Sequence, residues 1–170
     1  APEETVRLGV RLRDTDGLSN PTLAPRFVLR VVDDAAPRVR LQKRGVGSMV
    51  VPVALVPYTV RATDDVKVVE GRLEIVKSAG DRQAPEPHRV ALPADRLGTE
   101  NVEIEAEIEL GPLDLAPGAF LAFTAYGKDN AQPEAHEGKS DPVALKVVTL
   151  EELTNELLGR QQEQRALFEE

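Results

Sequence analysis

The chain contains no cysteine, which excludes a disulfide framework, a Cys-ligated zinc site and a thiol nucleophile together. That composition fits the cytosol and, equally, a bacterial periplasm whose proteins avoid thiols. Tryptophan is also absent and aromatic residues make up only 4% of the sequence. A core drawn from Val, Leu, Ile and Ala suits a β-sandwich of short branched side chains. Net positive charge is lacking as well. The formal balance is −8, and an acidic surface repels phosphate backbones, so no nucleic-acid partner is expected. No apolar run approaches the roughly 18 residues of a membrane-spanning helix, and no signal peptide is present. The sequence opens at Ala1 without Met and stops inside an apparent helix at Glu170. It is expected to be a piece of a longer protein, so missing targeting signals weigh little.

What is present is punctuation and alternation. Thirteen Pro and twelve Gly favour many short elements over a few long ones. In residues 5–13, Val6, Leu8, Val10 and Leu12 fall on one face and Arg7, Arg11 and Arg13 on the other, the period of a half-buried strand. A polar loop follows, then a second strand over residues 27–32. The pattern recurs at 119–148: a strand, a loop opening with Asp129, and a strand ending in Val147-Val148. This reads as a weak internal repeat. Residues 1–34 are therefore predicted to be the closing hairpin of a preceding β domain, since two strands cannot make their own core.

Between the repeats lie the strands of one complete domain. Strands are predicted over 37–43, over 50–62 with a kink or sheet switch at Pro52 and Pro57, and over 68–77. Residues 78–100 read as loop. The cleanest pattern is 101–110, where Val102, Ile104, Ala106, Ile108 and Leu110 alternate with Glu103, Glu105, Glu107 and Glu109, giving one dry and one wet face. From Thr149 the period changes. Thr149-Leu150-Glu151-Glu152 has the capping-box form, and Leu150, Leu153, Leu157 and Leu158 follow at helical spacing. The predicted fold is all-β: an immunoglobulin-like β-sandwich over 35–148, preceded by a hairpin at 1–34 and followed by a helix or coiled coil starting in 149–170.

The order of features resembles large bacterial cell-envelope proteins of uncharacterised function, whose immunoglobulin-like repeats run into long Gln/Glu-rich helices. The residues that carry the likeness are Asp33-Asp34-Ala35-Ala36-Pro37, Ala62-Thr63-Asp64-Asp65, Leu113-Asp114-Leu115-Ala116-Pro117-Gly118, Lys128-Asp129-Asn130 and Val148-Thr149-Leu150-Glu151-Glu152-Leu153. It spans residues 35–170 and implies a periplasmic or extracellular location, with no particular chemistry.

Catalytic constellations are sparse. His88 and His136 each stand alone in Pro/Glu-rich loops and read as solvated histidines, since zinc sites and triads need partners at fixed spacing. Gly138-Lys139-Ser140 lacks the first glycine of a phosphate loop, its place being taken by Pro133. The carboxylates of 103–109 form one strand's exposed face rather than an acid pair across a cleft. No enzymatic role is expected. Seven of eleven Asp, however, sit at strand ends, in Asp14-Thr15-Asp16, Asp33-Asp34, Asp64-Asp65 and Asp129. Short carboxylates on turns can converge on calcium, or can simply cap local amides. The 31-residue spacing between the Asp33 and Asp64 pairs resembles the junction of cadherin-type repeats, which implies calcium at Asp14, Asp16, Asp33, Asp34, Asp64 and Asp65. The leading expectation is a non-catalytic structural or protein-interaction module, with a protein partner or self-association through the C-terminal helix. Its rival is a calcium-stiffened adhesion repeat or a carbohydrate-binding sandwich.

Overall fold

The Arg-and-Val alternation near the N-terminus does fold as a strand, and its partner is the next apolar run. In this computed structural model, which describes residues 5–19, 26–30, 33–78 and 86–168, β1 (Thr5–Gly9) pairs antiparallel with β2 (Arg26–Arg30). Val6 lies opposite Leu29 and Leu8 opposite Phe27, so these four share one face. The predicted end of the second strand at Val31 and Val32 lies outside the described residues. After β1, the Asp14 carboxylate accepts hydrogen bonds from the Asp16 and Leu18 amides at 3.0 and 2.7 Å. Gly17, at φ 86°, completes the turn in a conformation that a side chain would resist. These elements belong to a unit comprising Ala1–Asp34; a second unit comprises Ala35–Glu170.

The second unit is mostly β-sheet, with one α-helix among the described residues, at its C-terminal end. Its strands are β3 (Arg38–Lys43), β4 (Met49–Val50), β5 (Leu55–Val68), β6 (Glu70–Ser78), β7 (His88–Ala91), β8 (Thr99–Glu109), β9 (Phe120–Lys128), β10 (Glu137–Lys139) and β11 (Val143–Val147), followed by α1 (Leu150–Phe168). One sheet has the order β3-β5-β8; the other runs β4-β11-β9-β6-β7, with β10 also on β9. All pairs are antiparallel except β4 with β11. The kink expected around Pro52 is a sheet switch. Between β4 and β5 the chain turns, with the Ala54 amide donating to Val51 O at 3.1 Å, and passes from one sheet to the other.

Both sheets contribute to a single hydrophobic core. Val56, Val60 and Ala62 of β5 and Val102, Ile104 and Ile108 of β8 face Leu73 and Ile75 of β6, Leu121 and Phe123 of β9, and Leu145 and Val147 of β11, all buried. Burying such a side chain fully stabilises by about 1.5–3 kcal/mol. Ala106 is only half-buried, and Leu110 is fully buried just beyond the end of β8. The four glutamates of β8 are exposed.

Three expectations need correction. Asp64 and Asp65 do not form a loop after a strand; they sit inside β5, in a bulge between Thr63 and Val68. The Asp64 carboxylate accepts from the Val66 and Lys67 amides at 3.2 and 2.7 Å, so the ladder resumes with Val68 opposite Thr99. Residues 78–100 are not all loop: β7 lies at the sheet edge beside β6, with His88 opposite Ile75. Residues 79–85 lie outside the described residues. Finally, β10 is an additional strand, whose Gly138 approaches the chain before β3 so closely that an added Cβ would lie 1.7 Å from Pro37 O.

The change of period at Thr149 is a helix start. The Glu152 amide donates to Thr149 Oγ1 at 3.1 Å and the Thr149 amide to Glu152 Oε2 at 2.9 Å, which is the reciprocal satisfaction of a capping box. The Glu152 carboxyl is held below its usual range, chiefly by that backbone hydrogen bond. Leu150, Leu157 and Leu158 are exposed along the helix.

Candidate functional site

The most tightly built polar group lies where β9 meets β10. Asp129, 1% exposed, follows the last residue of β9. Its Oδ1 accepts from the Ala131 amide at 3.0 Å and the His136 amide at 2.7 Å, and its Oδ2 lies 3.0 Å from His136 Nδ1. The Asp129 amide in turn donates to His136 O at 3.1 Å. Burial pushes the Asp129 carboxyl up, but the hydrogen bonds from Ala131 and His136 outweigh it and hold the group below its ordinary value. His136 is thus no freely solvated loop histidine, although its side chain is 43% exposed.

With Nδ1–H donated to the carboxylate, the imidazole is fixed in orientation and presents Nε2 as its acceptor. Such a pair can act as a general base or as part of a metal ligand set. The nearby hydroxyl of Ser140 is committed elsewhere: Oγ accepts from the Ala125 amide at 3.0 Å and donates to Asp141 O at 2.9 Å. The sequence did place Asp129 at a strand end, but nothing in the spacing to His136 announced their contact. A seven-residue gap acquires meaning only once the loop closes.

A second polar group lies on the outer face of the larger sheet. Arg72 of β6 lies 4.2 Å over the Tyr126 ring and donates to both carboxylate oxygens of Glu137 and, through Nε, to Glu74. Arg89 also donates to Glu74, at 2.9 Å. Hydrogen bonds from Arg89 lower the Glu74 carboxyl, and those from Arg72 lower Glu137. The group straps β7, β6, β9 and β10 across their shared face.

The six expected calcium ligands fall in two units: Asp14, Asp16, Asp33 and Asp34 in the first, Asp64 and Asp65 in the second. Asp14 caps its own loop, and Asp16 and Asp33 are exposed. Asp34 is half-buried. Asp64 and Asp65 line a groove of about 260 Å³ with Ala35, Ala36, Arg38 and Thr63. Asp64 Oδ2 serves the bulge, whereas Oδ1 is shielded from solvent and has no hydrogen-bond partner among the described residues. A larger groove, of about 370 Å³, is lined by Ile75, Lys77, Glu86, Pro87, His88, Pro112 and Leu113. Lys77 in it bonds Leu113 O, so its ammonium is already spent on a backbone carbonyl.

No protein-family model and no curated protein sequence matches the chain. A solved structure, that of the sporulation control protein Spo0M from Bacillus subtilis, is similar to 68% of this chain at 15% identity and a TM-score of 0.44. The match covers 50% of that protein's chain, and a likeness of that degree carries no argument about function.

Proposed function

We propose that the chain is a non-catalytic structural and protein-interaction module of a bacterial envelope protein, in which an immunoglobulin-like sandwich positions a helix that makes the contact. The strand order supports the immunoglobulin-like reading. On this reading the β3-β5-β8 sheet would stand for strands A, B and E of that architecture, and β11-β9-β6-β7 for G, F, C and an added edge strand, as in variable-type domains. The periplasmic or extracellular location rests on the resemblance of residues 35–170 to envelope proteins. No described helix is long and apolar enough to cross a membrane.

The observation that carries the proposal is the direct run of β11 into α1. Val147 and Val148 are buried in the second unit, Thr149 caps the helix at the next residue, and Leu150, Leu157 and Leu158 then stand in solvent. A helix rooted in a packed strand and carrying exposed leucines is suited to bind another helix. Light scattering tests this: the chain is expected to associate, and Leu153→Asp with Leu157→Asp to weaken that association. A monomer at every concentration would leave the helix without an assembly role.

A second reading, calcium at Asp64 and Asp65, is favoured by the unpartnered Asp64 Oδ1. A hard cation prefers such oxygens, and binding adds stability as RT ln(1 + [L]/Kd), about 2.7 kcal/mol at a hundredfold excess over Kd. Melting in several millimolar calcium is expected to exceed melting in chelator, with the difference lost in Asp64→Asn, Asp65→Asn. Equal melting temperatures for the native chain would make the pair ordinary bulge residues.

A further inference from the structure

Two surfaces of this chain are unfinished in complementary ways. β8 is an edge strand of 11 residues that, among the described residues, takes its ladder from β5 alone. A regular edge of that length presents a row of backbone donors and acceptors to any strand that can align with it. Its outer face carries Glu103, Glu105, Glu107 and Glu109. Arg61 and Arg44 meet the first two at 2.7 and 2.8 Å. Glu107 and Glu109 lie opposite Pro57 and Leu55, which offer them no charge.

β1 has the opposite character. From Val6 to Arg13 the chain alternates apolar residues with Arg7, Gly9, Arg11 and Arg13. Among the described strands β1 pairs only with β2. Its apolar face, Val6 and Leu8 with Phe27 and Leu29 of β2, is 40–52% exposed. A two-stranded ribbon with its apolar side in water is marginal by itself.

We propose that these surfaces bind each other between copies of this chain, β1 of one copy and the residues that continue it to the Arg13–Ser19 bridge adding antiparallel along β8 of a second. Placing Arg7 opposite Glu109 brings a charge to a carboxylate that β5 leaves without one, and sets Arg11 and Arg13 opposite Glu105 and Glu103, which Arg44 and Arg61 already meet, with Gly9 opposite Glu107. The same register sets Leu8 opposite Ile108 and Leu12 opposite Ile104, continuing the inward apolar face of the sheet. Charge and hydrophobicity align together because both strands have period two, and a one-residue slip would oppose both. Backbone hydrogen bonds and apolar burial supply affinity, as in other strand additions, while the ion pairs select the partner. Two copies of β8 do not substitute, since pairing them sets glutamate against glutamate. The contact joins different surfaces on the two copies, so it is heterologous and extends into rings or chains. It goes beyond the helix-contact proposal and does not depend on it.

Sedimentation velocity on the 170-residue chain tests it, alongside Glu105→Lys with Glu109→Lys and, separately, Arg7→Glu with Arg11→Glu. The native chain is expected to self-associate, less so at high salt. Each reversed variant is expected to lose affinity by about tenfold or more, and an equimolar mixture of the two variants to regain it. Circular dichroism checks that both fold. If the lysines lower the melting temperature, Glu105→Gln with Glu109→Gln is expected to weaken association in the same direction. A native chain that stays monomeric overturns the proposal, as does a mixture of folded variants that fails to associate. Association that survives the charge reversals but yields to Leu153→Asp with Leu157→Asp overturns it in favour of the helix, since α1 is native in every other arm.

Discussion

Asp129 shows how much a single carboxylate does in a closing loop. It accepts from two amides and the His136 ring while almost wholly buried. Its folded-state value lies below the ordinary carboxylate range. It therefore contributes stability above the unfolded value of about 3.9, and that contribution is lost as the pH falls through the folded one. Asp129→Asn is expected to cost about 1–3 kcal/mol at neutral pH, the penalty of leaving buried donors poorly answered. Thermal melts between pH 7 and 3 are expected to show native and variant converging only below about pH 4. A constant gap across that range would assign the effect to shape rather than charge. At this scale the sequence is least legible. Asp14 and Asp64 both read as ion ligands or turn caps, and in each one oxygen proves to serve nearby amides. Gly138 matters because Pro37 O comes against it, a contact 101 positions away in the chain that no local pattern encodes.

Elements were legible where one face is dry. β8 has strict alternation over its apolar positions, and Ile104 is 3% exposed while Glu105 pairs with Arg44 at the surface. Ile104→Ala is expected to cost about 2–4 kcal/mol through the cavity it leaves. Glu105→Ala is expected to be nearly neutral, as surface ion pairs are worth little. Equal losses in denaturant titrations would contradict the two-sided strand. The helix start was equally legible, because a capping box is a local device whose partners lie three residues apart. β7 and β10 were not. They are four and three residues long, and each gains its strand character from a long neighbour, β6 or β9. The continuation of β5 past Asp65 was hidden for a related reason: the bulge breaks the period that would have announced it.

At the scale of the whole molecule, the chain divides into Ala1–Asp34 and Ala35–Glu170, and the second unit couples a buried two-sheet core to a helix with leucines in solvent. The sheet switch between β4 and β5 makes this possible. It leaves β4 parallel to β11, with the Val148 amide bonded to Val50 O at 2.8 Å, and so anchors the chain immediately before Thr149. The proposed function has the leucines of α1 bind a partner from outside this core. Amide hydrogen exchange of the native chain at low and high concentration tests it most directly. Amides between Leu153 and Leu158 are expected to gain protection as concentration rises, while the buried strands β5 and β9 exchange slowly at both. Exchange along α1 that is the same at every concentration would contradict it.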